Sequence, residues 1–217
     1  MKNLALRHGG AARVLLASLA VSGVLGGCVA VAGGAMVGGS MMAVDRRSTG
    51  AQLDDQTIDL RVASTIGTTL GERGHVNGSS YNRVVLLTGE VPAEADRSAV
   101  EAAVAKVENV RTVVNEIAVM PNSTLGQRTN DTIITGKVKA AFLDAKELQV
   151  ASIKVITERG VVFLMGRVTE TESNIAAHRA RSVGGVQKVV KVFEIITPAE
   201  LAAMPIPPAG AASAVAK

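Results

Sequence analysis

Val84-Val85-Leu86-Leu87-Thr88-Gly89-Glu90-Val91 returns 77 residues later as Val161-Val162-Phe163-Leu164-Met165-Gly166-Arg167-Val168. Upstream, Asp55-Gln56-Thr57-Ile58-Asp59-Leu60-Arg61-Val62 corresponds to Asp131-Thr132-Ile133-Ile134-Thr135-Gly136-Lys137-Val138 at an offset of 76. Downstream, Val107-Glu108-Asn109-Val110 matches Val183-Gly184-Gly185-Val186, again at 76. One single-residue length change reconciles the three blocks. A period near 76 is too long for a solenoid repeat and suits a small domain present twice.

Periodicity changes along each copy. Ile58, Val62, Ile66 and Leu70 recur every fourth residue, as do Ile134, Val138 and Phe142, which marks one stripe of a helix. Asp54 or Asp55 is placed to cap the first of these helices, and Asn130 or Asp131 the second. The runs at 83–88 and 161–165 read as strands covered on both faces, with Gly89 and Gly166 marking a bend or a close backbone approach. A second helix is expected at about 94–107, with Ala99, Ala103 and Val107 inward, and its counterpart at about 171–183 with Ile175 and Val183. Strands at Arg111–Val119 and Lys188–Ile196 close the copies, and shorter ones at 75–81 and 150–157 precede the central strands. The fold expected is α/β (α+β): two tandem units, each a three-stranded mixed sheet packed against two helices in the order αββαβ. With three Phe, one Tyr and no Trp, any core must be aliphatic.

The chain begins differently. Lys2, Arg7 and Arg13 precede the uncharged run Val14–Leu25, and then comes Leu25-Gly26-Gly27-Cys28. Basic segment, apolar segment and small residues before a cut describe a secretory signal over 1–27. Cys28 is the only cysteine, which excludes a disulfide framework and any multi-cysteine metal site. The uncharged stretch runs on to Val44 and is long enough to span a bilayer, but seven glycines between Gly23 and Gly39 dilute it. A Gly/Ala-rich linker over 28–52 then leads to the units at 53–120 and 129–197, and the Pro/Ala-rich residues 198–217 read as a disordered tail. Without residues 1–27 the 23 basic groups fall to 20 against 19 acidic, a net charge of +1, so nothing supports nucleic acid as a partner.

Enzymatic patterns are missing. His75, in a loop after Gly74, and His178, on a helix, have no ligating companions at metal-site spacing. No nucleophile elbow or phosphate loop occurs, and Gly184-Gly185 reads as a helix exit. Neither a catalytic set nor a cofactor or metal is expected. Charge separates the two copies: residues 53–120 hold 6 basic and 10 acidic groups, residues 131–199 hold 10 and 7. On the second copy's first helix Lys137, Lys139 and Lys146 lie beside Ile133 and Ile134. Each such cation is worth about 1 kcal/mol near anionic lipid. The alternatives are lysines that only solvate a helix, or copies whose opposite charges meet in a structural or protein-interaction module.

Both copies resemble BON domains, most clearly in Glu158-Arg159-Gly160-Val161-Val162-Phe163-Leu164-Met165-Gly166-Arg167-Val168. Leu25-Gly26-Gly27-Cys28 resembles a lipobox, and the whole arrangement resembles the dual-BON outer-membrane lipoproteins of the DolP/YraP type. The resemblance implies acylation of Cys28 and, because Val29 and not aspartate follows it, placement on the outer membrane facing the periplasm. It also implies association of the second unit with anionic phospholipids, and a part in maintaining the envelope barrier. The contact would centre on a helix over 131–146, where Ile133 stands at a position that some relatives fill with tryptophan. Arg159, Arg167 and Lys188 are candidates to widen the basic surface, and an envelope-assembly or cell-wall-associated protein partner is the alternative occupant.

Overall fold

The structure, a computed structural model, describes residues 45–204. The expected signal segment, Cys28, the expected linker up to residue 44 and the expected tail over 205–217 lie outside the described residues. The first repeat runs α1 (Thr49–Leu70), β1 (His75–Tyr81), β2 (Val84–Val91), α2 (Glu94–Val104) and β3 (Thr112–Val119). The second runs α3 (Leu125–Leu143), a 3-10 turn (Val150–Ser152), β4 (Ile153–Glu158), β5 (Val161–Val168), α4 (Glu170–Arg181) and β6 (Lys188–Ile195), and α5 (Pro198–Ala203) follows. The order αββαβ is therefore present twice.

Each repeat carries one mixed sheet with its central strand second in sequence. β1 and β2 are antiparallel, and β2 and β3 parallel with Val84 opposite Thr112 and Val91 opposite Val119. The second sheet repeats this as β4-β5-β6. α2 and α4 make the crossovers that a parallel pair requires. Alternation then assigns the faces. Val85, Leu87 and Val91 pack with Ile58, Val62, Leu70, Val100 and Val104 under the helices, and the second repeat builds the same core around Phe142, Leu164 and Ala176. The opposite faces meet each other: Tyr81 and Leu86 of the first sheet pack with Phe163 and Met165 of the second. The layers run helices, sheet, sheet, helices, so β2 and β5 are apolar on both sides.

The structure departs from several of these expectations. α1 starts at Thr49, where the Ser48 side chain accepts from the Ala51 N–H, and α3 starts at Leu125 under a Thr124/Gln127 capping box. Asp55 and Asp131, expected as caps, instead lie within the helices on their buried sides. Residues 49–52 are consequently helical, where linker was expected. On α2, Val100 and Val104 are buried while Ala99 is exposed; on α4 the buried residues are Ser173, Ala176, Ala177 and Ala180, with Ile175 and Val183 at the margin of the core. Small side chains let α4 lie close on its sheet, which displaces the larger ones to its edges. His75 opens β1 and is not in a loop. Pro198–Ala203 is helical, capped reciprocally by Thr197 and Glu200, where a disordered tail was expected.

Gly89 and Gly166 occupy equivalent positions where the edge strand crosses the central one. A Cβ at Gly89, whose φ is 117°, would lie 2.0 Å from the His75 carbonyl oxygen; at Gly166 it would lie 2.3 Å from that of Ser152. Backbone cannot yield as a side-chain tip can. Gly89→Ala and Gly166→Ala are each expected to cost about 2–4 kcal/mol, read as a lower urea midpoint.

Candidate functional site

The capping box places the first turn of α3 six residues ahead of Asp131, and this sets what the helix shows to solvent. Its inner side carries Asp131, Ile134, Val138 and Phe142. The outer side is Leu125, Thr129, Thr132, Ile133, Gly136, Ala140 and Leu143, spaced by three and four residues, without a charge among them. Leu125 is 79% exposed, Ile133 51% and Leu143 73%. The hydroxyls of Thr129 and Thr132 donate back to the carbonyls of Leu125 and Arg128, which turns their polarity into the helix. Nineteen residues make this face about 28 Å long.

Lys137 and Lys139 flank the face on its two sides at a hundred degrees per residue, and Lys146 follows the helix in the next turn. All three are exposed, and none forms an ion pair among the described residues. Ile134 does not belong with them. It is 1% exposed and packs in the second repeat's core, because it shares the stripe of Val138 and Phe142. Leu125 and Leu143 were missed from sequence, although Thr124-x-x-Gln127 is a readable start signal that would have brought Leu125 into the helix.

The equivalent side of α1 shows Leu53, Thr57, Leu60, Ser64 and Gly67, again uncharged. Its borders differ. Asp54 pairs with Arg83, and Arg61, the cation on α1 itself, pairs with Glu108, unlike Lys137 and Lys139 on α3. Among the described residues, no group of His, Cys, Asp or Glu is suited to hold a metal, and no helix is long and apolar enough to cross a membrane.

Two buried aspartates lock the hairpins against the helices. Asp55 accepts from Ser80 Oγ at 2.6 Å, Arg47 Nη1 at 2.7 Å, and the N–H groups of Asn82 and Arg83 at 2.7 and 2.8 Å. Burial works to raise its pKa, but those hydrogen bonds together hold it below the ordinary carboxylate value. Asn82 and Arg83 have φ of 50° and 65°, so the clamp fixes a left-handed corner. Asp131 does the same for Arg159 and Gly160, accepting from their N–H groups at 2.7 and 2.8 Å.

Charges meet where the repeats join. Glu90, wholly buried, pairs with Arg159 at 3.2 Å and accepts from the Ser123 N–H and hydroxyl. Lys154 pairs with Asp59 at 3.3 Å, Arg111 and Arg167 both bind Glu194, and the Tyr81 hydroxyl donates to the Ser152 carbonyl. Arg46 grips Glu172 through two hydrogen bonds of 2.7 Å. Arg159 and Arg167, candidates to widen the basic surface, are therefore engaged in ion pairs, while Lys188 is exposed at the start of β6. A groove of about 450 Å³ runs beside this junction; Arg47, Asp55, Asp59 and Lys154 in its wall are paired with one another or with neighbours, and Lys139 stands in its lining as well.

The family profile of the BON domain matches residues 54–121 and 130–197, one for each repeat. The chain belongs to the BON-domain family. The chain is also similar to the outer membrane lipoprotein DolP of Haemophilus influenzae, 38% identical over 176 residues covering 79% of this chain and 90% of DolP. A protein described as a 21 kDa hemolysin from Actinobacillus pleuropneumoniae is 36% identical over 70% of this chain and 80% of its own. With the two BON domains, this relationship makes the chain a dual-BON outer-membrane lipoprotein of the DolP type. Among solved structures, CdsD, a structural protein of the type III secretion system of Chlamydia trachomatis, overlays 65% of this chain and 96% of its own at 10% identity, with a TM-score of 0.28.

Proposed function

We propose that this lipoprotein is a non-enzymatic envelope protein that faces the periplasm from a lipid anchor on Cys28, binds anionic phospholipid through α3 of its second BON domain, and supports outer-membrane integrity. The observation that carries the reading is the uncharged outer face of α3, bordered by Lys137 and Lys139, neither of them ion-paired among the described residues. An interfacial helix needs this combination: apolar side chains to enter the acyl boundary, and cations at its edges to meet phosphate. Burying a side chain such as Leu125 or Leu143 contributes roughly 1.5–3 kcal/mol, and each lysine about 1 kcal/mol. Acyl chains on Cys28 would hold α3 beside the bilayer, so weak contacts suffice.

Flotation of the lipid-free chain from Met42 with vesicles tests this. Binding is expected to vesicles containing phosphatidylglycerol or cardiolipin and not to phosphatidylcholine alone, and to weaken as salt rises. Equal binding to neutral vesicles, or none, would leave a module for an envelope-assembly or cell-wall-associated protein. That second reading is favoured by the exposed Leu53 and Leu60 on α1.

A further inference from the structure

β3 and β6 stand at equivalent places, each the outermost strand of its sheet among the described residues. The Met120 N–H donates to the Val91 carbonyl, and the Ile196 N–H to that of Val168. Backbone groups alternate in direction along a strand. Asn115, Ile117 and Val119 therefore turn their N–H and C=O groups away from β2, and Lys191, Phe193 and Ile195 turn theirs away from β5.

The first of these edges is sealed from within. The Ile117 N–H donates to Asn115 Oδ1 at 3.1 Å, and Asn115 Nδ2 donates to Glu101 at 2.8 Å. On β6 the equivalent of Asn115 is Lys191, whose ammonium has no acceptor to offer. It reaches towards α4 instead, donating to Asn174 at 3.1 Å with Glu170 at 3.9 Å. Among the described residues, no side chain closes the Phe193 N–H as Asn115 closes that of Ile117.

Charge separates the two edges as well. Glu170, Asn174, His178 and Arg181 recur every three or four residues on α4, and the Lys191 contacts place this stripe beside β6. Lys188 adds a cation at the start of the strand. In the first repeat the equivalents of His178, Arg181 and Lys188 are Ala102, Ala105 and Thr112. None of the three forms an ion pair among the described residues. On its other face β6 packs Val190 and Val192 against the cluster between the sheets.

We propose that the outer edge of β6 is a docking site for an extended acidic segment of a partner protein, which joins the second sheet as a fourth strand. The backbone of the segment pairs with Lys191, Phe193 and Ile195. Its acidic side chains lie on the α4 side, where Lys191 and Arg181 meet them, and its alternate apolar side chains continue the row of Val190 and Val192. Main-chain pairing supplies affinity in such an addition, and the alternating side chains supply specificity. A second copy of this chain suits the edge less well, because two β6 strands side by side would bring their lysines together. Lysine on an edge strand is a common guard against self-pairing of that kind. The site is separate from the outer face of α3 and does not depend on lipid binding there.

The test follows amide exchange in the lipid-free chain from Met42 with a short synthetic peptide that alternates valine with glutamate. At saturation, exchange at Lys191, Phe193 and Ile195 should slow by about tenfold or more, with the amides of β3 unchanged. The same peptide methylated on alternate backbone nitrogens, and one that alternates valine with lysine, should each bind at least about tenfold more weakly. Lys191→Asn copies the seal of β3. It should slow exchange at Phe193 in the free protein and weaken peptide binding, with the urea midpoint unchanged. Failure of the acidic peptide to slow those three amides, or equal binding of its methylated form, would overturn the proposal. So would the same slowing produced by phosphatidylglycerol vesicles, which assigns the edge to lipid, or by raising the protein concentration alone, which assigns it to a second copy.

Discussion

Asp55→Ala is expected to cost about 4 kcal/mol, a large fraction of the stability of a domain this size. The side chain is almost fully buried and takes four hydrogen bonds, two from backbone N–H groups at a left-handed corner. Alanine leaves the Asn82 and Arg83 amides, the Ser80 hydroxyl and the Arg47 guanidinium short of a partner at once. Each lost bond to a charged acceptor is worth about 1.5–3 kcal/mol, and partial access of water to the corner offsets some of the sum. Asp131→Ala, with two amides released, should cost about half as much. Urea unfolding should show both as lower midpoints with unchanged slope. The sign with pH follows from the lowered pKa of Asp55: its contribution is complete above the unfolded value near 3.8 and is lost as pH falls through the folded value. The parent and Asp55→Ala should therefore converge in acid.

Charge reversal on α3 should have the largest effect on binding. Lys137→Glu with Lys139→Glu exchanges two attractions of about 1 kcal/mol for two repulsions, a change of about 4 kcal/mol. At low salt this is about a thousandfold in affinity for anionic vesicles, and it shrinks as the Debye length shortens. Stability should be unchanged, because both side chains are exposed and leave no ion-pair partner stranded. Reversal of Arg61 at the equivalent position on α1 serves as the control, since it disturbs only a pair with Glu108. Flotation that survives the α3 reversal would remove the helix from the membrane contact.

Asp55 and Asp131 look like helix caps because the capping rule is local, and both stand just ahead of an apolar stripe. Their partners in the hairpins lie 25 to 29 residues further on, at corners whose need for an acceptor no nearby residue reveals. Ile134 was grouped with Ile133 by adjacency, although its place in the stripe of Val138 and Phe142 already pointed inward. The phase of α2 and α4 slipped because alanines carry too little hydrophobic contrast to mark a face.

The sequence by itself determined the duplication, the order αββαβ, the central strands and their glycines, because each depends on short-range periodicity or on identity between copies. The tertiary structure alone decided what the charges do. Opposite net charges on two repeats are compatible with a membrane face, an internal junction or plain solvation. Packing of one repeat on the other drew Arg159 and Lys154 into pairs with acids, the register of the second sheet set Arg167 opposite Glu194, and Lys137 and Lys139 were left beside an apolar helix. Which ions pair depends on distances between residues far apart in the chain, and only the folded chain sets those distances.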